Sequence, residues 1–263
     1  LKIFLLIGAV CMISFGNLTM FFIGLEILSI TLYILAGSNP TKIKSNEAGM
    51  KYFLLGSFAS GFILFGIALI YGATASFDLN TISNAILNPE TPNFLSLGVV
   101  LVTIGMLFKI AAFPFHFWAP DVYQGSPTIT TASMSTLAKV AAMATLFKIH
   151  AIFESYMSEA FTVLLICLAI VTMFVGNIMA LKQDNIKRML AYSGISHAGF
   201  MMIALFNTAN ATAELFYYAA AYSFASIAAF AIIIAVCKNY KDEKIKHFKG
   251  LGKQNPMMAA VLT

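Results

Sequence analysis

The sequence predicts an all-α protein, a polytopic bundle of transmembrane helices. Of its 263 residues, 60% are hydrophobic and only 10% are charged, and the mean hydropathy is +0.85. Apolar stretches of about 20 residues recur along the whole chain, which is the length that an α-helix needs to cross a bilayer. Most of the charged residues lie between these stretches.

The apolar stretches predict eight spans and the start of a ninth. The predicted spans cover residues 2–15, 17–36, 48–72, 94–113, 129–153, 161–180, 189–206 and 214–237, with another helix opening after Pro256. Because the chain has no initiator Met and its last helix is barely begun, we expect a piece of a longer protein. The lack of a signal peptide then carries no meaning.

The loops alternate in charge. If Lys2 is cytoplasmic, so are loops 37–47, 114–128, 181–188 and 238–254. Lys2 and these loops hold twelve basic residues: Lys2, Lys42, Lys44, Lys182, Lys187, Arg188, Lys238, Lys241, Lys244, Lys246, Lys249 and Lys253. The opposite loops hold no Lys or Arg, and they carry Asp78, Glu90, Glu154 and Glu159. This is the positive-inside pattern of a multi-pass membrane protein.

The formal net charge of +5 is therefore a topology signal and gives no support to nucleic-acid binding. The basic stretch 238–254 is most simply a solvated loop. Docking of a partner or of anionic lipid is the alternative.

Four lysines fall inside the predicted spans: Lys51, Lys109, Lys139 and Lys148. A cation at a bilayer centre costs from roughly 3 to more than 10 kcal/mol, depending on the method. Lys148 lies near the end of its span and is expected to extend to the interface. Lys51 is also near an end, and for it a functional role stays open.

Lys139 lies near the middle of its span. At helical spacing, Thr128, Thr131, Ser135 and Thr136 share its face, so a stripe of hydroxyl groups leads to the ammonium. Such a stripe can hold water, or it can serve helix packing. The central lysine favours the first interpretation.

Glu26 is the only carboxylate well inside a span, and Thr19, Ser29 and Tyr33 share its face. It can form a structural ion pair with a buried lysine, take part in a proton relay, or do both. At an effective dielectric of about 20, opposite charges ~4 Å apart interact by roughly 4 kcal/mol. Movement of Glu26 relative to a lysine can therefore change its protonation, which is the minimum that a proton relay requires.

Pro114 follows Lys109 by five residues, within "GMLFKIAAFPFHFW". Proline frees a backbone carbonyl, and irregular backbone at membrane depth is tolerated only where protein or water lines it. A broken helix beside Lys109 is typical of transporter ion paths. Alternatively, the helix ends near Phe113 and a loop follows.

The remaining titratable residues give weaker signals. His197 can extend a relay, and a packed, hydrogen-bonded histidine is the alternative. His116 and His150 lie near opposite faces of the membrane and need no role. The sequence contains no metal, flavin, phosphate-loop or iron–sulfur pattern, so we expect no cofactor. Cys11, Cys167 and Cys237 are expected to act as small apolar residues.

Several stretches resemble a known family. "FFIGLEILSI", "GMLFKIAAFPFHFWAPDVYQGSP", "STLAKVAAM" and "GNIMALKQDNIKRMLAYSGISHAGF" resemble the antiporter-like membrane subunits of respiratory complex I, the proton-pumping NADH:quinone oxidoreductase. The resemblance implies inverted five-helix repeats, each with a broken helix. It also implies that Glu26, Lys109 and Lys139 lie on the proton path and that Lys51 is a further lysine of it.

The resemblance implies two units in this chain. Residues 1–153 would form the first transmembrane repeat of five helices, and residues 154–263 a truncated second, inverted repeat. The expected function is proton translocation within complex I, with other membrane subunits, the lipid bilayer and protons as partners. The alternatives are a subunit of an Mrp-type cation/proton antiporter or a membrane-bound hydrogenase, and a non-conducting membrane scaffold.

Overall fold

Each of the eight predicted spans contains an apolar helix in the structure. The computed structural model describes residues 1–87, 92–208, 211–238, 240 and 242–262. Within these residues, six helices are long and apolar enough to cross a membrane, and two shorter apolar helices occupy the other two predicted spans. The prediction of a polytopic all-α bundle is confirmed.

The described α-helices are α1 (Lys2–Ser14), α2 (Leu18–Ala36), α3 (Ile43–Thr74), α4 (Leu79–Ala85), α5 (Phe94–Ile110), α6 (Trp118–Gly125), α7 (Thr128–Ser133), α8 (Lys139–Phe153), α9 (Glu159–Ala180), α10 (Ile186–Met202), α11 (Thr212–Cys237), α12 (Leu251–Gln254) and α13 (Pro256–Leu262). A π-helical turn, Met134–Ala138, joins α7 to α8, and 3₁₀ turns cover Ile203–Phe206 and Ile245–Phe248.

Two helices begin well before their predicted starts. α3 begins at Ile43 rather than at residue 48, without a side-chain cap, so Lys44 belongs to a helix and not to loop 37–47. α10 begins at Ile186 rather than at residue 189, because the Asn185 side chain accepts hydrogen bonds from the amides of Lys187 and Arg188. These two charged residues therefore belong to a helix and not to loop 181–188. α4 was not predicted, and Asp78 caps it in the same way.

Close helix packing depends on small residues in three helix pairs. In α1–α2, α3–α5 and α9–α10, a Cβ added at Gly24, Gly66 or Gly176 would lie within 2.6 Å of a backbone atom of the partner helix. Glycine at these positions lets the backbones approach, as is usual in membrane bundles.

The ends of the bundle agree with the predicted alternation of loops. At one end, Lys51 and Arg188 both bind Asp121, and Asn185 forms an isolated β-bridge with Lys244. We call this the basic end. At the other end, Asn17 is bridged to Asp78. The assignment of the basic end to the cytoplasm stays a prediction from the loop charges. Of the charged loop residues named above, Glu90 and Lys241 lie outside the described residues.

The stretch 238–254 is more than a solvated loop. The Ile245 amide donates to the Asp184 carbonyl at 2.8 Å, and the Ile186 amide donates to the Glu243 carbonyl at 2.9 Å. Ile245 and Phe248 also pack on apolar side chains of α10 and α11. The apolar residues between its lysines dock this stretch onto the bundle.

Candidate functional site

The helix that carries Lys109 is broken. α5 ends at Ile110, Ala111 adopts a left-handed backbone conformation (φ 59°, ψ 41°), and α6 starts at Trp118. The peptide bond between Phe113 and Pro114 is cis. The predicted broken helix is therefore present, since a second helix follows the interruption.

The break lies at membrane depth. The Phe113 amide donates to Thr172 Oγ1 at 3.0 Å, and Thr172 lies eight residues before the end of α9 at Ala180. At 1.5 Å per residue, this distance is about 12 Å along the helix. The Trp118 indole donates to the Phe108 carbonyl at 3.0 Å, so side chains satisfy backbone groups that the break exposes.

Lys109 lies in the last turn of α5, directly before the break. Its ammonium donates hydrogen bonds to Ser29 Oγ at 2.9 Å, Ser60 Oγ at 3.2 Å and the Tyr33 hydroxyl at 3.3 Å. A cation is favourable at a helix C-terminus, where the backbone carbonyls point outward. Three hydroxyl groups from α2 and α3 thus bind one buried ammonium group.

Glu26 lies one turn before Ser29 on the same face of α2. It interacts electrostatically with Lys109 and Tyr33. Within the described residues, it forms no ion pair within 4.0 Å, and its buried Oε1 has no hydrogen-bond partner. We call Glu26, Ser29, Tyr33, Ser60 and Lys109 the Lys109 cluster. Of the two lysines expected near Glu26, Lys109 is the one with which it interacts, although the two do not pair directly.

Lys139 follows the π-helical turn and is only 4% exposed. Its ammonium donates to the Gly194 carbonyl at 2.5 Å, and Gly194 leaves the space because a Cβ there would lie 2.8 Å from Nζ. Single π turns within α-helices are frequent at functional sites. The Lys139 side chain is therefore buried between α8 and α10.

Two tyrosines of α11 lie beside Ser135 and His197. Ser135 Oγ lies 3.0 Å from the Tyr222 hydroxyl, and His197 Nδ1 lies 2.7 Å from the Tyr218 hydroxyl. The His197 ring is 5.1 Å from the Tyr222 ring. These residues form the Lys139 cluster, composed of Ser135, Lys139, Gly194, His197, Tyr218 and Tyr222. All of them except Lys139 line a cavity of about 540 Å³.

Tyr222 was not predicted from the sequence to be a site residue. The sequence pattern that could have indicated it is the spacing of Tyr218, Tyr222 and Ser226 at four-residue intervals, which places polar groups on one face of an apolar helix. Lys187 was missed as well, because it was counted with a loop. It is 2% exposed, and its ammonium donates to the Ser126 carbonyl at 2.8 Å and pairs with Glu243 at 3.2 Å.

Two threonines of the hydroxyl stripe leading to Lys139 donate to backbone carbonyls. Thr131 donates to the Tyr123 carbonyl of α6 at 3.0 Å, and Thr136 donates to the Ala132 carbonyl of its own helix at 2.8 Å. Ser135 is the member of the stripe that bonds to a polar side chain near Lys139. The contact of Thr131 is the kind that the packing alternative expects.

A small cavity lies beside the Lys109 cluster. Its volume is about 20 Å³, and its lining includes Ser29, Lys109, Ala138 and Ala142. A cavity of this size holds about one water molecule. The helix that carries Lys139 thus comes within one water of the Lys109 cluster.

Lys51 lies apart from both clusters. Its side chain is 43% exposed and pairs with Glu47 at 2.6 Å and Asp121 at 3.2 Å. Arg188 also binds Asp121. Lys51 therefore extends toward the basic end of the bundle, where it meets carboxylates of α3 and α6.

Lys148 does not extend freely to water. Its ammonium donates to the Phe15 carbonyl at 2.5 Å and lies 4.3 Å from the centre of the Phe15 ring. Phe15 directly follows α1, so Lys148 binds an outward-pointing carbonyl at the end of a helix. This contact gives Lys148 a structural role.

The cysteines are unpaired in the described part of the chain. Cys11, Cys167 and Cys237 are free thiols. Across residues 1–87, 92–208, 211–238, 240 and 242–262, no group of three or more His, Cys, Asp or Glu side chains is placed to hold a metal ion.

Comparison with known proteins gives the following relationships. The family model described as "NADH:quinone oxidoreductase/Mrp antiporter, TM" matches residues 16–263. The chain is 59% identical over 263 residues to NADH-quinone oxidoreductase subunit N of Flavobacterium psychrophilum, with 100% of the chain and 58% of that protein covered. It is 48% identical to the subunit of the same name from Cytophaga hutchinsonii, covering 100% of the chain and 57% of that protein. The chain thus spans somewhat over half the length of these relatives.

Solved structures have the same fold. A chain of respiratory complex I from Thermus thermophilus with bound aureothin matches with a TM-score of 0.81 and 36% identity, over 98% of this chain and 55% of that one. A chain of an archaeal membrane-bound sulfane sulfur reductase matches with a TM-score of 0.89 and 32% identity, over 98% and 53%. A chain of the Mrp complex from Dietzia, at a TM-score of 0.84 and 23% identity over 97% and 48%, shares the fold alone. With these bacterial relatives, the long apolar helices place the chain in the inner membrane as a multi-pass protein.

Proposed function

The chain belongs to the NADH:quinone oxidoreductase/Mrp antiporter transmembrane family, and from this premise we propose that it is part of a complex I subunit N and translocates protons. The relatives are subunits of NADH-quinone oxidoreductase. In this proposal, the chain is a non-redox component of the translocase, and its partners are the other membrane subunits, the lipid bilayer and protons.

The binding of the Lys109 ammonium by three hydroxyl groups carries the proposal. An ammonium group releases and regains a proton, and a hydroxyl both donates and accepts hydrogen bonds. A proton on Lys109 can therefore leave through Ser29, Ser60 or Tyr33. The negative charge of Glu26, on the same face of α2 as Ser29, attracts the Lys109 ammonium. This attraction weakens whenever Glu26 moves away or is protonated.

The next step runs from the Lys109 cluster to Lys139. A water in the cavity of about 20 Å³ would accept the proton from Lys109, and the Lys139 side chain would take it by turning from the Gly194 carbonyl toward this cavity. From Lys139, the Tyr222 hydroxyl and His197 lead onward beside the larger cavity of about 540 Å³. Lys51 feeds this path from the basic end, where its exposed side chain reaches the bulk solution.

The repeat organisation belongs to the same proposal. Residues 1–153 form the first repeat, with α5 and α6 as its broken helix, and residues 154–263 form part of the inverted second repeat. The proton path described above crosses from the first repeat to the second at the contact between Lys139 and Gly194.

Two other functions compete with this one. A subunit of an Mrp-type antiporter or of a membrane-bound hydrogenase would use a similar set of lysines and glutamate, and identity favours complex I over Mrp at 36% against 23%. A non-conducting scaffold would need the buried charges only for packing.

Proton uptake by vesicles containing the reconstituted complex tests the proposal. Lys109→Ala and Lys139→Ala should each reduce uptake at least about tenfold while the amount of assembled complex stays near normal, since an uncharged side chain is easier to insert. The exposed Lys249→Ala is the matched control and should pump normally. Normal uptake in both Lys109→Ala and Lys139→Ala would support the non-conducting scaffold instead. Uptake that requires sodium would favour the Mrp-type antiporter.

A further inference from the structure

A separate polar cavity opens at the basic end of the bundle. Its volume is about 910 Å³, and its lining shares no residue with the Lys109 or Lys139 cluster. Nine charged residues line it, six basic and three acidic: Lys42, Lys44, Lys182, Lys187, Arg188, Lys244, Asp184, Asp242 and Glu243. Positive charge therefore prevails around this cavity.

Helix N-termini add to the positive potential. The first turns of α3 and α10 and the start of the continuous helix Thr128–Phe153 all line the cavity. α3 begins without a side-chain cap, and so does the helix at Thr128. The N-terminus of a helix carries partial positive charge and unpaired amide groups, which attract anions.

The Ser126 hydroxyl is an unpaired donor at this cavity. Ser126 is 1% exposed and lines the cavity, and its buried Oγ has no hydrogen-bond partner among the described residues. A buried polar group without a partner is costly and rare. The carbonyl of the same residue already accepts from Lys187, so the hydroxyl is the group that still needs an acceptor.

The cavity has more basic side chains than acidic side chains to pair with them. Glu243 pairs with Lys187, and Asp242 pairs with Lys244 and with a histidine outside the cavity. Within the described part of the chain, Lys42, Lys44 and Lys182 form no ion pair within 4.0 Å. These three exposed ammonium groups are free to bind a ligand of opposite charge.

We propose that this cavity binds a phosphate group, carried by free phosphate or by the headgroup of an anionic phospholipid. Phosphate oxygens would accept hydrogen bonds from the Ser126 hydroxyl and from the first amides of α3 and of the helix at Thr128, while Lys42, Lys44 and Lys182 neutralise the charge. The first amides of α10 are already bonded to Glu243 and Asn185, so α10 contributes only its partial positive charge. The site is independent of the proposed proton path, because it uses none of the relay residues. Its occupancy is therefore measured by binding, without reference to pumping.

Two probes test the site and separate the two sources of phosphate. Equilibrium binding of labelled orthophosphate to the purified, delipidated complex measures the free anion. Mass spectrometry of the intact complex, taken from nanodiscs of phosphatidylglycerol or of phosphatidylcholine, measures retained lipid. Lys42→Gln combined with Lys44→Gln should weaken binding of the ligand by about tenfold. Lys249→Gln combined with Lys253→Gln changes charge by the same amount at exposed positions outside the cavity and should bind as the unaltered complex does.

Either source supports the proposal, provided that the cavity variant alone loses the ligand. Selective retention of phosphatidylglycerol identifies the headgroup, and saturable orthophosphate binding without retained lipid identifies the free anion. Absence of binding by both probes, or equal binding by the cavity variant and the control, overturns the proposal. Ser126→Ala provides a second test that keeps every charge. It should weaken binding several-fold, and unchanged binding would also contradict the site.

Discussion

The Lys109 ammonium donates a hydrogen bond to Ser29 Oγ at 2.9 Å, across the interface between α5 and α2. Glu26 lies one turn away on the same face of α2 and interacts electrostatically with Lys109 without pairing directly. A direct ion pair would hold the proton on the lysine, whereas hydroxyl groups can pass it on. This arrangement suits proton transfer better than permanent charge neutralisation.

Removal of the hydroxyl groups that bind Lys109 should slow proton transfer. A hydrogen bond to a charged group contributes about 1.5–3 kcal/mol, so Ser29→Ala and Ser60→Ala should each reduce pumping by about tenfold or more. The exposed Ser57→Ala, on the same helix as Ser60, should have no effect. The measurement is proton uptake per assembled complex, and equal rates in all three variants would show that the hydroxyls serve packing alone.

Gly194→Ala should displace the Lys139 ammonium without removing any charge. The new Cβ would lie 2.8 Å from Nζ and 3.1 Å from the Tyr222 hydroxyl, and the mobile end of the lysine must give way. We expect normal assembly with at least several-fold slower pumping. Gly61→Ala is the matched control, because a Cβ at Gly61 meets no atom within 4 Å. Helix propensity should stabilise that variant by up to about 1 kcal/mol. A Gly194→Ala variant that pumps like Gly61→Ala would contradict the assigned contact.

Docking of the stretch 242–248 should weaken in acid. The hydrogen bond from His247 to Asp242, at 2.5 Å, holds the pKa of that carboxyl below its usual 3.8. The resulting stabilisation is present above pH 3.8 and is lost as pH falls through the lower pKa of the docked state. Amide hydrogen exchange over residues 242–248, compared between the unaltered chain and Asp242→Asn at each pH, measures this effect. The two proteins should differ most above pH 3.8 and converge as pH falls through the lowered pKa of the Asp242 carboxyl, and a constant difference would refute the contact.

The sequence predicted the helices well because hydropathy and length alone determine which segments fit a bilayer. The eight spans and the break near Pro114 were both readable from the apolar runs and from the position of the proline. The helix starts were less accurate, since Asn185 extends α10 over Lys187 and Arg188, which by charge alone resembled loop residues.

Contacts between residues far apart in the sequence could not be predicted from it. Nothing in the pattern around Lys148 indicates that its ammonium binds the Phe15 carbonyl, because the two residues meet only after two helices pack. Tyr222 and the pairing of Lys187 with Glu243 were missed for the same reason. The π turn before Lys139 also depends on packing, since no residue between Met134 and Ala138 requires it.

Proton uptake by the reconstituted complex carrying Lys109→Arg tests the central claim most directly. Arginine keeps the positive charge and can bind Ser29, Ser60 and Tyr33, but a guanidinium group stays protonated at any working pH. If Lys109 passes protons, this variant should assemble and fail to pump, with uptake reduced at least about tenfold. If Lys109 serves only to neutralise charge and support packing, Lys109→Arg should pump normally, and that result would contradict the account.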